Sequence, residues 1–114
     1  MNMEKMSANE YQYLTRRTAG VHKDPAIGLV NWSMGLAGEV GEVVDYLKKV
    51  VFHGHPLDKE KLTKELGDAL WYLARIADDC KIPLDVVMYE NIEKLRKRYP
   101  EGFSTERSVN RVED

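Results

Sequence analysis

Apolar residues recur at steps of three and four along most of this chain, the period of a helix with one buried face. Leu36, Val40, Val43, Leu47 and Val50 form one such seam, and Leu62, Leu66, Ala69, Leu73 and Ile76 repeat its 4-3-4-3 spacing. Polar breakers divide the pattern into four predicted helices. Ser7-Ala8-Asn9-Glu10 has the form of a capping box, so a first helix should begin near Ser7 and run to about Thr18, with Gly20 as its stop. Asp24-Pro25 reads as an N-cap followed by proline at the first helical position. A second helix then runs to about Phe52 and closes at His53-Gly54-His55-Pro56. Asp58 caps a third reaching about Cys80, the Lys81-Ile82-Pro83 break follows, and a fourth runs from Pro83 to about Arg98. Pro100 and Gly102 end it. Nowhere does the alternation of a half-buried strand appear. The chain reads as all-α and as one domain over residues 1–114, with a core at about 25–100 and a polar, irregular tail at about 101–114.

The second helix is apolar on more than one side, because Ile27, Val30, Met34, Val44 and Val51 fall outside its seam. A helix apolar all round is normally buried, and a chain of 114 residues has little with which to cover it. Oligomerisation through the helices is therefore expected. The formal charge of -2 argues against a nucleic-acid partner, which would call for a basic face. Cys80 is the single cysteine, so neither an intramolecular disulfide nor a Cys-rich zinc site is available, and it reads as a small core residue. No apolar run approaches the roughly 20 residues that span a bilayer, so no membrane partner is expected. The N-terminus from Met1 to Tyr13, including Met3 and Met6, carries Glu4 and Glu10 and does not read as a signal peptide. The expected location is the cytoplasm.

The candidate chemistry lies in the second and third helices. Glu39 and Glu42 form an E-x-x-E, and Glu65 and Asp68 an E-x-x-D. Residues three apart share a helix face, with Cβ atoms roughly 5–6 Å apart. Each of the four acids sits one residue before a seam position. Antiparallel packing would bring both pairs to the edge of the helix contact, converging across roughly 8–10 Å. Four carboxylates gathered there would repel one another unless protonated or metal-bound. An all-oxygen set without His or Cys favours a hard cation, Mg²⁺ or Mn²⁺. A solvated acidic face is the plain alternative for either pair alone. Gly35, Gly38 and Gly41 recur at three-residue steps beside these acids, and Gly67 lies between Glu65 and Asp68. Each costs roughly 1 kcal/mol against alanine in a helix interior, which close helix packing or room for a ligand must offset.

Gly38-Glu39-Val40-Gly41-Glu42, then Lys64-Glu65-Leu66-Gly67-Asp68-Ala69-Leu70-Trp71-Tyr72-Leu73, then Asn91-Ile92-Glu93-Lys94 and Arg98-Tyr99-Pro100 give the chain a resemblance to the MazG-like all-α nucleoside triphosphate pyrophosphohydrolases, from about Asn31 to Phe103. That resemblance implies a four-helix protomer assembling as a homodimer or homotetramer. It implies an active site around Glu39, Glu42, Glu65 and Asp68, which serve as both catalytic and metal residues. It implies Mg²⁺-dependent cleavage of (deoxy)nucleoside triphosphates between the α- and β-phosphates, giving a monophosphate and pyrophosphate in nucleotide-pool housekeeping. Alternatives are a narrow substrate (dCTP, dUTP or phosphoribosyl-ATP) or a non-catalytic helical regulatory module. A di-iron bundle is disfavoured because neither acid pair is followed by a suitable histidine.

Secondary candidates follow from the same resemblance. Asn91 and Lys94 would contact sugar or phosphates, and Arg98 shares their face at i, i+3, i+7. Tyr72, one turn after Asp68, would meet base or sugar, against the plain reading of a packed tyrosine. Asn31 and Trp32 fall in the region that meets the nucleobase in related enzymes. Asp45 continues the acid ladder but reads more simply as a surface group, and His53 and His55 as an exposed turn.

Overall fold

The computed structural model describes residues 5–111; Met1, Met3, Glu4 and the end of the tail at Asp114 lie outside them. Five helices follow in order: α1 Ala8–Ala19, α2 Pro25–His53, α3 Lys59–Asp79, α4 Leu84–Arg98 and α5 Thr105–Val109. Among the described residues there is no strand, only an isolated bridge between Pro100 and Gly102. Among the described residues no helix is long and apolar enough to cross a membrane. The local signals act as their chemistry dictates. Ser7 Oγ accepts from Glu10 N, Asp24 Oδ1 from Ala26 N, and Asp58 Oδ1 from Glu60 N and Lys61 N. Gly54 closes α2 at φ 72°, a left-handed conformation that costs a glycine nothing.

The tail corrects one expectation. Instead of running irregular from 101 onward, it forms α5, capped by Ser104 Oγ accepting from Arg107 N at 3.1 Å. Cys80 corrects another, being exposed at the end of α3 and not part of the core.

α2 and α3 form an antiparallel hairpin and the most extensive helix contact in the molecule. Its register differs from the apolar seam read in the sequence. Val40, Leu47, Leu66 and Leu73 stand exposed. The positions between the helices are Trp32, Leu36, Glu39, Val43, Tyr46 and Val50, facing Leu62, Glu65, Ala69, Tyr72 and Ile76. The Tyr72 ring packs against Gly35, where an added Cβ would collide with it. Tyr46, buried, ties the connecting loop down: its hydroxyl accepts from Asp58 N at 2.8 Å and donates to Pro56 O at 3.1 Å.

α1 lies along the far side of α3 and braces α4. Pro83 has no side-chain group to cap α4, so α1 supplies the acceptors. Gln12 Oε1 accepts from Leu84 N and Asn9 Oδ1 from Asp85 N, while Gln12 Nε2 donates to Ile82 O. Beneath α1, Arg75 is only 5% exposed and donates to Thr15 Oγ1, Asp78 Oδ2 and Asp79 Oδ1. Arg16 completes the network with paired 2.9 Å bonds to Asp78.

Candidate metal and nucleotide site

The register of the hairpin determines what the acids can do. Glu39 and Glu65 occupy helix-contact positions and are half-buried, whereas Glu42 and Asp68, one step round each helix, are exposed. Carboxylate oxygens of Glu39, Glu42 and Glu65 lie within 4.8 Å of one another. Asp68 stands outside this triplet, though its charge still acts on Glu39 and Glu65. The expected four-acid cluster is thus a close set of three with the fourth nearby.

Oε2 of Glu39 and Oε2 of Glu65 are buried without a hydrogen-bond partner. Buried acceptors left unpaired are costly, and charged ones more so. Desolvation, followed by repulsion from Glu42, Asp68 and Glu65, pushes the Glu39 carboxyl above its ordinary range. Desolvation and the nearness of Glu42 do the same at Glu65, partly offset by the Lys61 ammonium. Bare carboxylates held this way want a proton or a cation. Their donor set is entirely oxygen, which suits a hard divalent ion.

Glycine keeps the space beside them open. A Cβ added at Gly38, Gly41 or Gly67 would meet nothing within 4 Å. Gly38, Gly41, Glu42 and Glu65 form one end of a polar cavity of about 470 Å³. The repeated glycines therefore divide by role: Gly35 admits the Tyr72 ring, and Gly38 and Gly41 leave room in front of the acids.

The secondary candidates fare unequally. Trp32 is 4% exposed, donates from Nε1 to Asp79 Oδ2 at 2.6 Å, and meets the rings of His22 and Trp71 edge-on. Arg75 lies against its face, 5.6 Å from the ring centroid. Both Trp32 and Tyr72 are packed into the hairpin. Asn31 is exposed on α2. Asn91 is exposed and Lys94 half-buried on α4, and neither lines the cavity beside Glu42 and Glu65. Asp45 is a surface acid paired with Lys49 at 2.9 Å and Lys48 at 3.7 Å. His53 is exposed, as is His55, but His55 does reach the cavity, together with Lys49 and Lys61. Those two lysines were not singled out by sequence. Their signal was spacing: Lys61 precedes Glu65 by one turn, and Lys49 follows Glu42 by two.

Residues 31–103 match the model of the MazG nucleotide pyrophosphohydrolase domain. The chain is also 34% identical over 83 residues to the Gene 37 protein of Mycobacterium phage L5, a stretch covering 69% of this chain and 73% of that relative. No solved structure matches. With the domain match spanning both acid pairs and most of α2 to α4, the chain belongs to the MazG nucleotide pyrophosphohydrolase family.

Proposed function

We propose that this protein is a Mg²⁺-dependent hydrolase of (deoxy)nucleoside triphosphates, cleaving between the α- and β-phosphates. The observation that carries this reading is the close set of Glu39, Glu42 and Glu65, two of them with a buried, unpartnered oxygen, beside a cavity that Gly38, Gly41, Glu42 and Glu65 help to line. Glu39, Glu42 and Glu65 hold the divalent ion, with Asp68 contributing charge beside them. Mn²⁺ suits the same oxygens. A bound ion of this kind neutralises phosphate charge and favours a nucleophilic water. The residues themselves position the substrate and take up a proton. A water oxygen bonds to the α-phosphorus, the bond from that phosphorus to the bridging oxygen breaks, and pyrophosphate leaves with the electron pair. One carboxylate of the set accepts the proton of the water. No covalent protein nucleophile is needed.

Asn31, Trp32, Tyr72, Asn91 and Lys94 enter as substrate contacts on the family resemblance. Their geometry favours packing for Trp32 and Tyr72. The uncovered apolar residues support assembly as a homodimer or larger. Val40, Val44, Leu47 and Val51 on α2, and Leu66, Leu70 and Leu73 on α3, are all exposed. Each set follows the hairpin contact by one residue, which on antiparallel helices puts both stripes on the same face. An apolar face of that length is characteristic of an interface.

Pyrophosphate release from a nucleotide panel, with and without Mg²⁺, tests the function. The wild type should release it only with the ion, and Glu42→Ala should lose nearly all turnover while keeping its helical circular dichroism. Equal activity in the two proteins would remove the site.

A further inference from the structure

α4 is held by α1 more than by α3, although α3 directly precedes it in the chain. Among the described residues of α4, Leu84 alone is buried, while Val86, Val87, Met88, Tyr89 and Ile92 stand exposed. The helix is therefore gripped at its root. That root follows a turn with Lys81 in the left-handed region at φ 59°, a conformation that a side-chain-bearing residue keeps only where its surroundings fix it. Gln12 spans the turn. Its Oε1 accepts from Leu84 N and its Nε2 donates to Ile82 O, both at 2.9 Å, and the residue is only 6% exposed. The root offers one N–H and one C=O, and a carboxamide answers each with a separate atom. Gln12 is in turn tied to α3. Thr15 Oγ1 donates to Gln12 O at 2.6 Å and accepts from Arg75 Nη1 at 3.1 Å. Asn9 Oδ1, accepting from Asp85 N at 3.0 Å, is a second and more exposed tie.

Asn91 and Lys94 lie two to three turns beyond this root, roughly 10 and 15 Å along the helix axis from Leu84. A tilt of about 5° at Leu84 would move Lys94 by roughly 1.3 Å, enough to spoil a hydrogen bond. We propose that Gln12 is a positioning residue for substrate binding. By joining α1 to Ile82 and Leu84, it fixes the angle at which α4 presents Asn91 and Lys94 to a nucleotide. This rests on the reading of those two residues as substrate contacts. The acids are not involved, because they stand on the α2–α3 hairpin and keep their places whatever angle α4 takes. A misplaced α4 weakens ground-state and transition-state binding alike, so loss of Gln12 raises KM and leaves kcat unchanged.

The test reads KM and kcat for pyrophosphate release together with Mn²⁺ affinity, the last by loss of the free-ion electron paramagnetic resonance signal. The proteins are wild type, Gln12→Glu, Gln12→Ala, Asn9→Ala, the pair Asn91→Ala/Lys94→Gln, and that pair with Gln12→Glu added. Gln12→Glu keeps the acceptor for Leu84 N and loses only the bond to Ile82 O, so it stays informative should Gln12→Ala fail to fold. KM should rise about fivefold in Gln12→Glu, the factor equivalent to one ordinary hydrogen bond, and further in Gln12→Ala. Asn9→Ala should move it the same way by about twofold, its bond being exposed. In each of these, kcat and Mn²⁺ affinity should stay within about twofold of wild type. Added to the Asn91/Lys94 pair, Gln12→Glu should raise KM by less than about twofold, because the contacts that it positions are gone. An unchanged KM in Gln12→Glu, a matching loss of Mn²⁺ affinity, or the full rise persisting in the paired background would overturn the proposal and leave the acid site standing. A wild-type KM in the Asn91/Lys94 pair would remove those substrate contacts and this proposal with them. A wild type that releases no pyrophosphate would remove the enzymatic reading itself.

Discussion

Three glycines at equal spacing on one helix should respond to the same substitution in opposite directions. Glycine costs roughly 1 kcal/mol against alanine in a helix interior. At Gly38 and Gly41 a new Cβ meets open space, so alanine should recover about that amount at each. At Gly35 it would strike the Tyr72 ring, coming within 2.7 Å of Cδ1 and closer still to the atoms beyond. The ring cannot slide freely, because it stands edge-on to Trp71 at 5.1 Å between centroids and lies 6.3 Å from Trp32. Overpacking of this kind costs about 1–3 kcal/mol, and a disturbed aromatic pair roughly 0.5–1.5 more. After the gain in helix propensity, Gly35→Ala should lose about 1–3 kcal/mol net. Urea denaturation of the metal-free protein at one fixed concentration, needed because assembly shifts apparent stability, gives the three values. Turnover supplies the second axis. Gly38→Ala and Gly41→Ala should be more stable yet slower, since their methyl groups enter the cavity in front of Glu42 and Glu65. A stabilised Gly35→Ala would refute the packing assignment. Full activity in the other two would refute the claim that those glycines leave room for substrate.

Further outcomes follow from the rest of the molecule. Arg75→Ala should cost about 1.5–3 kcal/mol by urea denaturation, because it removes a buried guanidinium that bonds Thr15, Asp78 and Asp79, while Arg16 still pairs with Asp78 and Trp32 with Asp79. Asp78 bonds to Arg16 first and Arg75 second, which holds its carboxyl below the usual 3.8. A depressed folded-state value means that its contribution is complete above about 3.8 and is lost as pH falls through the lower, folded value. Asp78→Asn should therefore be less stable at neutral pH and show a shallower loss in that acid window, read by thermal melts from pH 7 to 2. Val44→Glu, in the middle of the exposed apolar face, should convert a wild-type dimer or larger assembly to monomer by sedimentation. A monomeric wild type would contradict that interface.

The helix ends are legible in the sequence because caps and breakers act locally. Ser7, Asp24 and Asp58 accept the backbone N–H groups that their positions imply. The register of the hairpin is not, because a seam read only from apolar residues passes over polar ones that occupy it. Trp32, Glu39, Tyr46, Glu65 and Tyr72 take contact positions for reasons of charge, ring shape and hydrogen bonding. Val40, Leu47, Leu66 and Leu73 consequently belong to the neighbouring, uncovered stripe. α5 is short, with Ser104 capping one end and Asn110 the other, too little pattern to stand out from a polar tail. The acids were readable because i, i+3 spacing puts a pair on one face whatever the packing. Lys49 and Lys61 were harder to single out, because the same helical spacing from the acids is no more than a surface ion-pair pattern until the cavity shows which lysines line it.

Melting the protein against Mg²⁺ concentration bears most directly on the gathered carboxylates. The wild type should start low, since burial and the neighbouring carboxylates of Glu42 and Asp68 hold Glu39 and Glu65 above their ordinary protonation range, and should rise steadily with the ion. Glu65→Gln should start higher, its repulsion gone, and barely respond. Curves that rise equally in both proteins, or in neither, would contradict the account.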